Sequence, residues 1–137
     1  MIDGMHPKSG PRPTDSHAER RIYEALAREG ALPEGVVGWH SLAFTVNNRE
    51  HEIDFLLAHP ERGFIAIEAK GGQIKLEDGF WLQNGQRMKA PPTKQAIDAA
   101  HALARYLRET HHLEPPRFTY AVWFPDMSKP PLPSGDA

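Results

Sequence analysis

The 137-residue chain contains no cysteine. Disulfide bridges and thiolate metal sites are therefore excluded, and a reducing compartment fits. No apolar run approaches the ~18 residues of a membrane-crossing helix. The N-terminus also lacks the apolar centre of a signal peptide. An excess of one charge is missing too: 16 basic against 18 acidic residues leave a formal net charge of −2. Bulk electrostatics thus demand no nucleic acid, and any nucleic-acid reading must rest on a local basic surface. The eight histidines show no finger-type or helical spacing beside acids, which argues against zinc. What remains is a chain with no membrane span, with the cytoplasm as its default location. Its 25% charged and 39% apolar residues are ordinary for one globular domain with a real core.

The most informative stretch runs from His51 to Gly72. Two apolar runs, His51–His59 and Phe64–Lys70, flank a spacer punctuated by Pro60 and Gly63, which reads as a strand hairpin. Each run carries acid where a buried strand should have none. With His59–Gly63 as the loop, Ala58 pairs with Phe64, Asp54 falls opposite Glu68, and Glu52 falls opposite Lys70. The register that buries the apolar residues together also gathers Asp54, Glu68 and Lys70 on one face. Cross-strand Cβ atoms lie roughly 4.5–5.5 Å apart, so the two carboxylates repel unless a proton or cation intervenes. A hard divalent cation with oxygen ligands suits them. The plainer alternative is a solvated Glu–Lys pair on an open sheet face.

These residues resemble a known family. An acid on one strand followed by Glu-x-Lys on the next is similar to the PD-(D/E)xK nuclease core, and more closely to the nuclease-related domain called NERD. The matching pieces are Ala18–Arg21, Glu52–Phe55, Gly63–Gly71, Asp78–Trp81 and Pro92–Ala96. Ala69 stands where the family usually has a β-branched residue. The resemblance implies an α/β fold with a restriction-endonuclease-like core, a central mixed β-sheet flanked by helices in the order α-β-β-β-α-β. It implies Asp54, Glu68, Lys70 and Gln95 as catalytic residues. It also implies Mg²⁺, or Mn²⁺, held by Asp54 and Glu68 with help from Glu19 and the Ala69 carbonyl. Lys70 would orient water or stabilise phosphate charge, the electrostatic role being preferred to general base. The substrate would be nucleic acid, with DNA favoured, and a fused or partner helicase domain fits the family.

The rest of the chain divides into a disordered leader at 1–15, a nuclease-like domain at 16–125, and a Pro-rich tail or linker at 126–137, which suggests a module of a longer protein. Ser16 and Glu19 have capping-box spacing at the start of a helix from His17 to Arg28. Glu19 is then either a cap acid or, by the resemblance, part of the metal site. Val36–Val46 reads as a strand turning at Asn47-Asn48. Gln73–Gln83 reads as a small hairpin turning at Asp78-Gly79, in which Trp81 is a core anchor or a base-stacking surface. A helix from Thr93 to Glu109 starts after Pro91-Pro92. Gln95 and Lys94, in its first turn, are exposed polar residues or, by the resemblance, positioning and phosphate-contacting groups. His40 and His51 read as structural, His111-His112 as a helix end, and Arg117–Phe124 as a last strand. Two further function classes stay open: a non-hydrolytic module binding nucleic acid or protein, and a purely structural adaptor.

Overall fold

The computed structural model describes residues 3–129 and 131. In chain order the elements are β1 (Gly4–His6), α1 (His17–Ala27), β2 (Val37–Val46), β3 (Arg49–His59), β4 (Gly63–Ala69), β5 (Ile74–Glu77), β6 (Phe80–Gln83), β7 (Gln86–Arg87), α2 (Pro92–His111) and β8 (Phe118–Trp123). Five strands form a mixed sheet in the order β1-β2-β3-β4-β8, and β5, β6 and β7 form a separate small sheet. β2, β3 and β4 are an antiparallel meander, while β1 and β8 run parallel to β2 and β4 at the two edges. The expected α-β-β-β-α-β succession is present as α1-β2-β3-β4-α2-β8.

Local chemistry accounts for most boundaries. Asn47, Asn48, Asp78, Gly79, Asn84 and Gly85 all have positive φ, as two-residue hairpin turns that match strand twist require. The third of these pairs, Asn84-Gly85, adds β7 to what the sequence reads as a two-stranded hairpin. Gly63 starts β4 at φ 92°, and a Cβ there would lie 1.7 Å from the Arg117 carbonyl oxygen. Only glycine lets β8 approach so closely. His112 ends α2 in the left-handed conformation, its N–H returning to the Leu107 carbonyl.

The core has two parts. Phe44, Leu56, Phe64, Ala66, Ala100 and Leu103 pack between the sheet and α2. Met5, Ile22, Tyr23, Phe55 and Ile67 pack between the sheet and α1. Met5 overturns the expectation of a disordered leader at 1–15. Gly4, Met5 and His6 pair with Val37, Gly38 and Trp39, Met5 is buried, and the Tyr23 hydroxyl donates to the Pro7 carbonyl. One apolar side chain, seated over the bare Cα of Gly38, anchors a stretch whose composition otherwise reads as unfolded. At the other end Asp126 accepts from the Gly72 N–H at 2.7 Å, so the first residue assigned to the tail is tied into the domain. Residues 1, 2, 130 and 132–137 lie outside the described residues. Among the described residues no helix is long and apolar enough to cross a membrane.

Candidate active site

The site forms where two strand ladders break at the same residue. Along β2 and β3, His40 pairs with Phe55 and Leu42 with Ile53, but Ser41 and Asp54 between them do not pair. Ser41 has φ 56°, a conformation that strains a residue with a Cβ. The interruption resets the alternation of faces. Trp39 and Leu42 are three positions apart, yet both pack on the α2 side, and so do their partners Leu56 and Ile53. On the other flank, β3 pairs with β4 from His59–Gly63 to Phe55–Ile67 and no further.

Asp54 is therefore left without a strand partner on either side, and its side chain takes over. Oδ2 accepts from the Ala69 N–H at 2.9 Å. The β3–β4 register is the expected one, with Ala58 opposite Phe64, and it carries Asp54 to the level of Glu68. The Lys70 Nζ lies 3.2 Å from Glu68 Oε1, with side chains only 18% and 14% exposed. The Lys70 N–H donates to the Trp123 carbonyl at 3.0 Å, so β8 fixes the end of β4 from the opposite flank.

The electrostatics follow from burial. Desolvation, and then the charge of Glu68, push Asp54 up to about 7 from 3.8; Glu19 adds to this, while the Ala69 N–H and Lys70 pull the other way. Glu68 is raised as well, first by burial, with Lys70 opposing. Two half-buried carboxyls that resist ionising together are an arrangement a divalent cation would relieve. Their oxygen donors suit magnesium or manganese. Among the described residues no group of three or more His, Asp or Glu side chains is arranged to hold a metal ion.

Glu19 is an acid in the first turn of α1, behind the N-cap Ser16. Ser16 Oγ accepts from the Glu19 N–H at 3.1 Å, which is half of a capping box. The other half is missing, because the Ser16 N–H donates to Thr14 Oγ1 at 3.1 Å. The Glu19 carboxylate turns instead to His40, with Oε1 2.9 Å from Nε2.

The family model of the nuclease-related domain (NERD) matches residues 14–125. The chain belongs to the NERD family. This agrees with a place in the PD-(D/E)xK superfamily, and the mixed sheet with its two helices agrees with a nuclease-like fold. No curated protein and no solved structure matches the chain significantly.

The other NERD motif residues are placed as follows. Gln95 lies in the first turn of α2, half-buried, with Nε2 3.4 Å from the Ala90 carbonyl. No described contact ties it to the acid pair. Lys94 is exposed and paired with Asp98 at 2.8 Å. Trp81 is half-buried and stacks on Phe124 with centroids 6.3 Å apart. His51 stacks on Phe44. One residue that the sequence does not single out shapes the site, Ser41, which has no local signal for positive φ; His40, read as structural, has partners that lie far along the chain. Asn84-Gly85 did carry a signal, the hairpin dipeptide itself. The Asn84 Oδ1 accepts from the Gln73 N–H at 2.9 Å, tying the small sheet to the exit of β4.

Proposed function

We propose that this NERD domain is a metal-dependent phosphodiesterase that cleaves nucleic acid, with DNA as its substrate. One observation carries the reading: the Asp54 and Glu68 carboxyls share a partly dry corner at the end of β4, with the Lys70 ammonium 3.2 Å from Glu68. Asp54 and Glu68 would hold magnesium or manganese, with the Ala69 carbonyl beside them. Magnesium keeps several waters and takes one or two protein carboxylates, so two adjacent acids suffice. When bound, the cation supplies charge neutralisation for a phosphodiester and a more acidic water.

The chain's own residues do the rest. Asp54 is held against Ala69 by its hydrogen bond and cannot swing away from Glu68. Lys70 offers positive charge to a phosphate at the same corner, and removing such a donor lowers rates by on the order of 10²–10³. Gln95, at the N-terminus of α2, would contact substrate or water after its contact with Ala90 is released. Glu19 adds negative charge from α1.

The test uses linear and single-stranded DNA with Mg²⁺ or with EDTA, and the variants Asp54→Ala, Glu68→Ala and Lys70→Ala. Metal-dependent cleavage lost in folded variants supports the assignment. Cleavage that survives all three substitutions overturns it. One observation favours a second reading, a module that binds nucleic acid without cutting it: one oxygen of Glu19, the third acid near the pair, is already engaged by His40. A gel shift without metal-dependent cleavage by the unmodified domain would establish that reading instead.

A further inference from the structure

His40 is the most deeply buried polar side chain in the described protein, at 1% exposure, and both of its ring nitrogens are engaged. Nδ1 accepts from the Arg12 N–H at 3.0 Å. A nitrogen that accepts a hydrogen bond carries no proton, so the hydrogen-bond network places the ring proton on Nε2. From there it donates to Glu19 Oε1 at 2.9 Å. The ring cannot turn, because Phe55 lies against it with centroids 4.9 Å apart and Tyr23 meets it edge-on at 6.2 Å. Thr14 Oγ1 makes only a long 3.5 Å contact with the other Glu19 oxygen, Oε2.

We propose that His40 is the positioning residue for Glu19: the N-terminal arm fixes the His40 tautomer, and His40 fixes the Glu19 carboxylate beside the Asp54–Glu68 pair. The arm at Met5–Arg12 thereby becomes part of the site's support. Its strand β1 seats it on β2, and Arg12 then delivers a backbone N–H to a nitrogen beneath the site. The chemistry parallels the way ring nitrogens and carboxylates brace one another behind metal centres, where loss of such a support weakens metal affinity by about 10–100-fold. Glu19 needs this support because α1 gives it none: its own capping duty goes unperformed, and an unbraced carboxylate in the first turn of α1 would point to water.

This inference rests on the divalent-metal reading of Asp54 and Glu68, and the experiment separates the two. Mn²⁺ binding to the full chain is measured by calorimetry for the unmodified protein, Glu19→Ala, His40→Asn, His40→Gln and the double variant Glu19→Ala/His40→Asn. Asn keeps an acceptor where Nδ1 was and loses the donor to Glu19; Gln keeps the donor and loses the acceptor. The expected result is affinity about 10-fold or more weaker in Glu19→Ala and in His40→Asn, no further loss in the double variant, and near-native affinity in His40→Gln. Native affinity in His40→Asn, or in Glu19→Ala, overturns the inference while leaving the metal pair standing. An unmodified protein that binds no Mn²⁺ overturns the metal reading itself. A metal-free measurement keeps the proposal testable even if the variants fail to fold. The ¹⁵N spectrum of His40 in the unmodified protein must show the proton on Nε2, and a proton on Nδ1 refutes the arrangement.

Discussion

Replacing Asp54 with Asn should make the metal-free protein more stable, and the size of the gain can be worked from the site. Burial and Glu68 raise Asp54 to about 7 from 3.8. Its proton is thus bound more tightly in the folded chain than in the unfolded one. The stability this contributes is complete below pH ~4, declines as pH rises through about 7, and is gone above it. At ~1.4 kcal/mol per decade of proton affinity, the penalty at pH 8 has a ceiling of about 4 kcal/mol. Asp54 is only partly buried, so solvent screening reduces this, and about 2 kcal/mol is the working value. Asn is the same shape, keeps an oxygen for the Ala69 N–H, and can donate to Glu68 where Asp54 repelled it.

Urea unfolding in EDTA reads the difference. With a slope of about 2 kcal/mol/M, Asp54→Asn should unfold at roughly 1 M higher urea at pH 8. The gap should narrow steadily towards pH 5, because Asp54 of the parent regains its proton as pH falls below about 7. Added Mn²⁺ should raise the midpoint of the unmodified protein but not that of the variant. A variant less stable than the parent at pH 8 in EDTA, or a gap indifferent to pH, would falsify the picture of two crowded acids.

Three other outcomes are expected. Lys70→Ala should lower metal-dependent cleavage by 10²-fold or more while far-UV circular dichroism stays unchanged; a variant retaining most of its activity removes Lys70 from the chemistry. Gly63→Ala should destabilise by more than about 2 kcal/mol, because it combines a left-handed backbone with a clash against the Arg117 carbonyl, and a thermal midpoint within a degree of the parent's would contradict the close approach of β8. Ser41→Gly should be tolerated or stabilising by up to about 1 kcal/mol in thermal unfolding, whereas Ser41→Val should destabilise; equal effects of the two would mean the positive φ is not required.

The fold was legible where local chemistry and burial agreed. Pro60 and Gly63 set the loop, the apolar residues of β3 and β4 had one register that buried them together, and that register brought Asp54 to Glu68. The helix starts followed from Ser16 and from Pro91-Pro92. The N-terminal strand was illegible because a three-residue strand with one apolar side chain has no period to read. Met5 is core only because Gly38 makes room for it. The role of Glu19 was undecidable from spacing. The same Ser-x-x-Glu pattern serves a cap or a site, and the partner its carboxylate takes, His40, lies 21 positions away.

The break at Asp54 adds to the register something that alternation alone does not contain. An intact ladder would direct Asp54 out of the sheet, with its backbone paired on both flanks. Here neither flank pairs it, Ser41 opposite carries backbone strain, and the carboxylate caps the next strand at the point where Glu68 and Lys70 emerge. Strain of this kind is worth about 1–3 kcal/mol and persists only where surrounding structure enforces it. Phe55 and Ile53, both almost wholly buried, one packed on each side of the sheet, are the enforcers. The register alone brings Asp54 level with Glu68; the interruption adds the bond by which its carboxylate accepts from the Ala69 N–H. The interruption therefore belongs to the site as much as the acids do.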